Sequence, residues 1–269
     1  MHNYRLVVYY FIRLGSEKKC EDLCNILFRN DLKILSFGSS EQAKNAYTKE
    51  DLKSFWVEME TKRGFGIPFL KGKGFYVSIG WGGAMPYSTG ISIKTKKPIL
   101  AKNLISLGKE LFLWAEGCHG YIRLDEPYVQ RYKPYTPRMY TPGQSIVNCL
   151  SDITWANFFG KPYVDMWGID KLLNAPSYDV QNFAEDNFLL LTTESPEPDE
   201  NITTNQLKLK EYLGLDYFYK PPRNEIEYRT DGNGNRYLHT YEPYSYIAPN
   251  FWDYYDLSKS TISMPTNKG

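Results

Sequence analysis

The residues with the greatest potential for covalent or metal chemistry in this sequence are four cysteines and three histidines. Cys118 and His119 are adjacent, an arrangement that could fit a cysteine nucleophile activated by an imidazole. The pair follows the C-terminus of a predicted helix, where the helix dipole disfavours a thiolate, and neighbouring residues of a strand point to opposite faces. The sequence therefore favours a structural role for both residues.

A zinc site is the second kind of chemistry that these side chains could support. Cys20 and Cys24 are four residues apart on a predicted helix, and Cys118 with His119 could supply further ligands. The two helical cysteines are also core-facing positions, and the chain has no C-x-x-C pair. With Cys149, the four cysteines are too few for a disulfide scaffold. We expect reduced thiols and predict no metal and no cofactor.

The segment 231–242 matches most of the ligand positions of a calcium-binding loop. Asn233, Asn235 and the closing Glu242 occupy ligand positions, but Arg236 stands where such loops need glycine. No helix is predicted on either side of the segment. The turn of a β-hairpin explains these residues better, and the sequence leaves calcium binding open.

Motifs of other enzyme classes are missing or incomplete. The sequence has no P-loop and no G-x-G-x-x-G after a strand, and the nearest nucleophile elbow, residues 86–90, lacks its first glycine. Asp125, Glu126 and Asp165 lie near aromatic residues, which would suit a sugar-binding cleft, but no pair is marked by its spacing. We predict that the protein is not an enzyme. The alternative is a carbohydrate-binding or glycan-processing protein.

The charge balance excludes partner classes that need a strongly charged surface. The chain has 32 Lys and Arg against 31 Asp and Glu, a net charge of +1, so neither nucleic acid nor a membrane is a predicted partner. The apolar run between Arg5 and Arg13 is shorter than a signal peptide or a membrane span requires. We therefore expect the protein in the cytoplasm.

Hydrophobic periodicity and capping signals, with Ser16 and Thr48 as predicted N-caps, predict an α+β protein. Predicted helices cover 17–29, 49–62, 98–117, 168–174 and 202–213, and predicted strands cover 4–14, 32–37, 75–81, 88–94, 119–124, 178–183 and 188–193. The fold class that follows is a two-layer architecture. A mainly antiparallel sheet is covered on one face by the helices near 17–29, 99–116 and 202–213. Residues 64–74 and 130–143 are predicted loops.

Two segments depart from this regular pattern. Residues 194–200 hold four acids and two prolines, which indicates either a solvated linker or an exposed acidic clamp for a basic partner surface. Beyond residue 214, tyrosines and prolines interleave with polar residues. We place a main domain at 1–214 and an irregular, Tyr-rich extension at 215–269 that packs on it.

The order of segments over 75–214 resembles the Immunity protein 52 family, whose members are antidotes encoded beside bacterial polymorphic or contact-delivered toxins. The elements that carry the resemblance are a strand with a glycine-bounded tryptophan (75–83), a strand with Ser-x-x-Ile (88–93), a long helix ending at Trp and Gly (99–117), a Trp-x-x-Phe-Phe-Gly element (155–160) and a strand leading into an acidic loop (188–194). Residues 161–168 and the tail after 214 depart from the family pattern. The resemblance implies a cytosolic α+β protein that binds one cognate toxin and blocks it.

The residues predicted to contact such a partner are large aromatics, which dominate binding hot spots, and the acids of the 194–200 loop. They are Trp81, Trp155, Tyr163, Trp167, Glu194, Glu197, Asp199 and Glu200. Self-association into a homodimer is left open. A structural protein of a phage or mobile element is a third class, for which self-association would be the sign.

Overall fold

A computed structural model of the 269-residue chain describes residues 2–82, 87–125, 150, 152–197, 202–218, 227–230 and 236–239, the last two segments by their backbone alone. Ten strands in this part of the chain form one sheet: β1 (His2–Tyr10), β2 (Ile34–Gly38), β3 (Asn45–Ala46), β4 (Phe69–Gly72), β5 (Phe75–Ile79), β6 (Tyr87–Thr95), β7 (His119–Leu124), β8 (Ala156–Phe159), β9 (Asp179–Ala184) and β10 (Asn187–Leu191). Their order is β3-β2-β4-β5-β6-β1-β7-β8-β10-β9. Every neighbouring pair is antiparallel.

Six α-helices accompany the sheet in the described residues: α1 (Glu17–Arg29), α2 (Lys49–Glu58), α3 (Ala101–Trp114), α4 (Lys161–Trp167), α5 (Ile169–Leu173) and α6 (Ile202–Leu213). The predicted N-caps are confirmed, because the side chains of Ser16 and Thr48 accept hydrogen bonds from the third backbone N–H of α1 and α2. A π-helical turn, Met59–Arg63, continues α2. No described helix is both long and apolar enough to cross a membrane.

The main core lies between one face of the sheet and the layer of α1, α2 and α3. Alternate residues of β1, from Tyr4 to Tyr10, point into it, as the period of two requires. Gly108 lets α3 approach the sheet closely, because a Cβ at this position would stand 2.5 Å from the ring of Phe158. The α+β class and the antiparallel sheet are thus confirmed.

A second core lies on the opposite face, at the β8–β10 end of the sheet. Phe188 and Leu190 belong to it, whereas the alternate residues Leu189 and Leu191 belong to the main core. A strand that is apolar at consecutive positions must be covered on both faces. The helices α4, α5 and α6 supply the second cover, so α6 packs opposite α1 and α3 rather than beside them.

The structure has a strand and a helix where the sequence predicted neither. β4 lies within the predicted loop 64–74; its alternation is too short to be recognised as a strand and ends at glycine. α4 occupies the segment 161–167, which carried no helical prediction. Residues 215–218, at the start of the predicted extension, contribute to the second core, in which Phe218 is fully buried.

The remainder of the predicted extension is described only in part. The strands β11 (Glu227–Thr230) and β12 (Arg236–His239) pair antiparallel, which confirms the hairpin predicted there. The turn residues 231–235 lie outside the described residues, as do Cys149 and the loop 130–143. The division of the chain at residue 214 stays a prediction.

Candidate functional site

The four aromatic residues predicted to contact a partner are core residues. The exposed fraction is 2% for Trp81, 1% for Trp155, 0% for Tyr163 and 7% for Trp167. Trp81 and Trp155 belong to the main core, and Tyr163 and Trp167 to the second. These side chains stabilise the fold, and in this conformation they offer almost no surface to a partner.

The acidic loop is partly committed to contacts within the chain. Glu197 accepts a hydrogen bond from the Tyr4 hydroxyl at 2.6 Å, and its other carboxylate oxygen lies 3.0 Å from Nδ1 of His2. Burial, with Glu197 as the next cause, raises the pKa of Tyr4 to about 12, so the phenol remains a donor at neutral pH. Glu194 is exposed, and residues 198–200 lie outside the described residues. The structure therefore describes one free acid of the predicted clamp.

Cys118 and His119 are buried and bound to backbone carbonyls. Cys118 Sγ donates to the Tyr9 carbonyl at 3.2 Å, and Nδ1 of His119 lies 3.0 Å from the Phe158 carbonyl. Burial raises the pKa of the Cys118 thiol and lowers that of His119 to about 4. Both groups are thus neutral near pH 7, which is the state that a structural role requires and the opposite of a thiolate–imidazolium pair.

The burial of His119 makes the folded state sensitive to acid. Its pKa falls from 6.5 to about 4 on folding, so the unfolded chain binds the proton more strongly. We expect full stability above pH 6.5 and a loss of about 3 kcal/mol as the pH falls to about 4. Urea unfolding across this range measures it. A His119→Asn variant, which can still donate to the Phe158 carbonyl, should show a shallower pH dependence; an unchanged slope would contradict the assignment.

The other candidate groups are separated from one another. Cys20 and Cys24 lie in the main core, whereas Cys118 lies in the second core on the opposite face. In the part of the chain that the structure describes, no three His, Cys, Asp or Glu side chains cluster as metal ligands, so the zinc alternative is not assembled. Asp125 pairs with an arginine of β7, and Asp165 pairs with a lysine of α4.

A cationic row crosses the sheet on the face opposite α1 and α3. It consists of Lys71, Tyr76, Ser92, Arg5 and Arg123, in the order of the strands β4, β5, β6, β1 and β7. Each member is the direct cross-strand partner of the next. Since neighbouring strands lie about 4.8 Å apart, the row extends roughly 19 Å across the sheet.

The side chains of the cationic row differ in the contacts that hold them in place. Arg5 Nη1 donates to Ser92 Oγ at 2.9 Å, and a Cβ at Gly90 would come within 3.4 Å of the other Arg5 nitrogen. Arg123 is largely enclosed, with 12% of its side chain exposed, and its Nε lies 3.2 Å from Asp125. Among the described residues, the contact of the Lys71 ammonium is a backbone carbonyl, at 3.5 Å. The least constrained charge of the row is therefore at the β4 end.

A cleft of about 550 Å³ lies alongside the cationic row and is lined by residues of β4, β5, β6 and β1. Its polar lining comes from Lys71, Tyr76 and Ser92 of the row and from Asn3, Glu41, Lys94 and Asp125. Asn3 Nδ2 donates to Asp125 Oδ2 at 3.2 Å, while Asn3 Oδ1 is buried without a donor among the described residues. A buried hydrogen-bond acceptor without a donor is rare, and this oxygen could accept a hydrogen bond from a bound ligand.

The second-layer helices do not extend over this part of the face. Within the described residues, no member of the second core comes from β4, β5 or β6. The strands there alternate buried and half-exposed residues, as in a sheet with one covered face. The β4–β6 end of the cationic row and the cleft are therefore the accessible part of this face, whereas Val7 and Tyr121, beside Arg5 and Arg123, are each 6% exposed. We call the face that carries the row and the cleft the open face and take it as the candidate partner-binding face.

Sequence reasoning missed the cationic row because its members are far apart in the chain. Arg5 and Arg123 fall inside the predicted strands 4–14 and 119–124 without a predicted role, and Lys71 falls in the predicted loop 64–74. Period-two alternation could have placed Arg5 and Ser92 on the polar faces of their strands. Their alignment depends on the register of five strands, which no local pattern contains.

These features define an α+β protein with an antiparallel sheet, two helical layers and a polar open face. No protein-family model and no curated protein matches the chain. Among solved structures, it is similar to the Pseudomonas aeruginosa T6SS protein PA0821, with a TM-score of 0.56 and 12% sequence identity, over 89% of this chain and 79% of that one. At this identity the similarity establishes the fold alone.

Proposed function

We propose that this protein is a cytosolic immunity protein that binds a cognate bacterial toxin and neutralises it by one-to-one association, without chemistry of its own. The observation that carries the proposal is the fold shared with a T6SS protein over 89% of the chain. The resemblance to the Immunity protein 52 family, based on the order of segments over 75–214, points to the same kind of system.

The candidate site is compatible with inhibition by binding. Its charged groups lie on adjacent strands of a sheet, a rigid support that keeps a docking surface ready before the partner arrives. Cys118 and His119, which could have formed an activated nucleophile, are buried and neutral near pH 7. Charged side chains on an accessible face mainly speed association and select the partner.

Co-expression with the adjacent reading frame tests this proposal. We expect the neighbouring gene to arrest growth when expressed alone, and this protein to restore growth and to co-purify with the neighbour. A frame-shifted copy of this gene, which makes the same transcript but no protein, is the control. The proposal is wrong if the neighbour is harmless alone and does not bind.

A further inference from the structure

We infer that the open face is the surface that receives the toxin, and that it binds an acidic segment of that toxin. The inference rests on the proposed function and deepens it by naming the docking site and the chemistry of its occupant. Its first support is charge. The described open face carries four cations, Lys71, Lys94, Arg5 and Arg123, against Glu41 and Asp125.

The cations on this face are available to different degrees. Asp125 is engaged by Arg123, whereas neither Lys71 nor Lys94 has a carboxylate within salt-bridge distance among the described residues. The whole chain has a net charge of only +1, so the cationic excess is local. A local excess attracts an acidic patch without giving the molecule a general affinity for polyanions.

The row also offers donors of the right kind for carboxylates. The guanidinium of Arg5 is held in place by Ser92, and a fixed planar guanidinium can bind a carboxylate through two parallel hydrogen bonds. The hydroxyls of Tyr76 and Ser92 stand between the cations and can donate to the same groups. An acidic helix or strand that lay across the strands of the sheet would contact these donors one after another.

Several of the other predicted contact residues are occupied by contacts within the chain in the described structure. The aromatic residues Trp81, Trp155, Tyr163 and Trp167 are buried in the cores. Glu197 of the acidic loop is already bonded to Tyr4 and His2. The acidic loop stays a separate prediction for a basic partner surface, and the inference about the open face rests on its own charges.

The experiment uses the full-length protein and a fluorescein-labelled hexaglutamate peptide, with binding followed by fluorescence anisotropy at low and physiological salt. The test variant is Lys71→Glu with Lys94→Glu. The matched control is Lys18→Glu with Lys102→Glu, which makes the same charge change at exposed positions of α1 and α3. We expect the test variant to lose affinity about tenfold or more and the control to lose less than about twofold. Thermal unfolding shows whether each variant is folded.

The same variants are then measured against the purified neighbouring toxin. If the toxin does not bind the unmodified protein, the proposed function is wrong. The peptide titration alone then decides whether the open face binds acidic segments. If the toxin binds and the test and control variants bind it equally well, the proposed function stands and the docking surface is wrong. Hexaglutamate that does not bind, or an oligothymidine probe that binds more tightly at the same salt, also overturns the inference.

Discussion

Replacing Trp155 by alanine is expected to lower the free energy of unfolding by about 4 kcal/mol, with a fall in Tm of about 10 °C. The side chain is 1% exposed and belongs to the main core at the start of β8. Its Nε1 donates to the Thr193 carbonyl at 2.9 Å. The substitution therefore opens a large cavity and leaves a buried carbonyl without its donor.

Urea unfolding followed by circular dichroism measures this effect. Trp155→Phe keeps most of the ring and loses only the N–H, so it should cost about 1–2 kcal/mol. If Trp155 were instead a partner-contact residue, the alanine variant would keep its stability and lose toxin affinity. That outcome would contradict the assignment of this tryptophan to the core.

Replacing Glu60 by alanine is expected to cost about 3 kcal/mol, because this carboxylate joins two separate parts of the chain. Glu60 Oε2 accepts from Trp81 Nε1 at 2.7 Å, and Oε1 lies 3.0 Å from Arg13 Nε. Trp81 is 2% exposed, so its N–H would be buried without a partner. Gly15 lies so close that a Cβ there would stand 2.4 Å from the carboxylate, and no other residue type fits there without a shift.

A neighbouring glutamate provides the control for Glu60. Glu58 lies two residues earlier, is 53% exposed and pairs with Lys62 on the same helical surface. Glu58→Ala should change the free energy of unfolding by less than about 0.5 kcal/mol. Glu60→Gln, which keeps an acceptor for Trp81 and loses the charge, should fall between the two. Equal costs for Glu58→Ala and Glu60→Ala would show that the Arg13–Glu60–Trp81 contacts contribute little.

Much of the fold could be predicted because its signals are local. Ser16 and Thr48 mark the starts of α1 and α2, and period-two alternation marks β5 and β6. The second core was missed although Phe188-Leu189-Leu190-Leu191 is apolar at consecutive positions, which indicates cover on both faces. The helix α6 was therefore assigned to the layer of α1 and α3.

The candidate site was less predictable because it depends on long-range register. Trp81 and Trp155 were predicted to contact a partner from residue type alone, and type does not show whether a tryptophan is buried. Arg5, Ser92 and Arg123 become neighbours only when β6, β1 and β7 pair in one register. Such pairing is specified by the whole core rather than by any one strand.

Isothermal titration calorimetry of the purified product of the adjacent reading frame, with the full-length protein as titrant, measures the proposed association itself. We predict one-to-one binding with a Kd below about 1 μM, weakened about tenfold or more by Lys71→Glu with Lys94→Glu and not by Lys18→Glu with Lys102→Glu. A folded, active toxin that gives no binding heat and keeps its full activity in the presence of excess protein would contradict it.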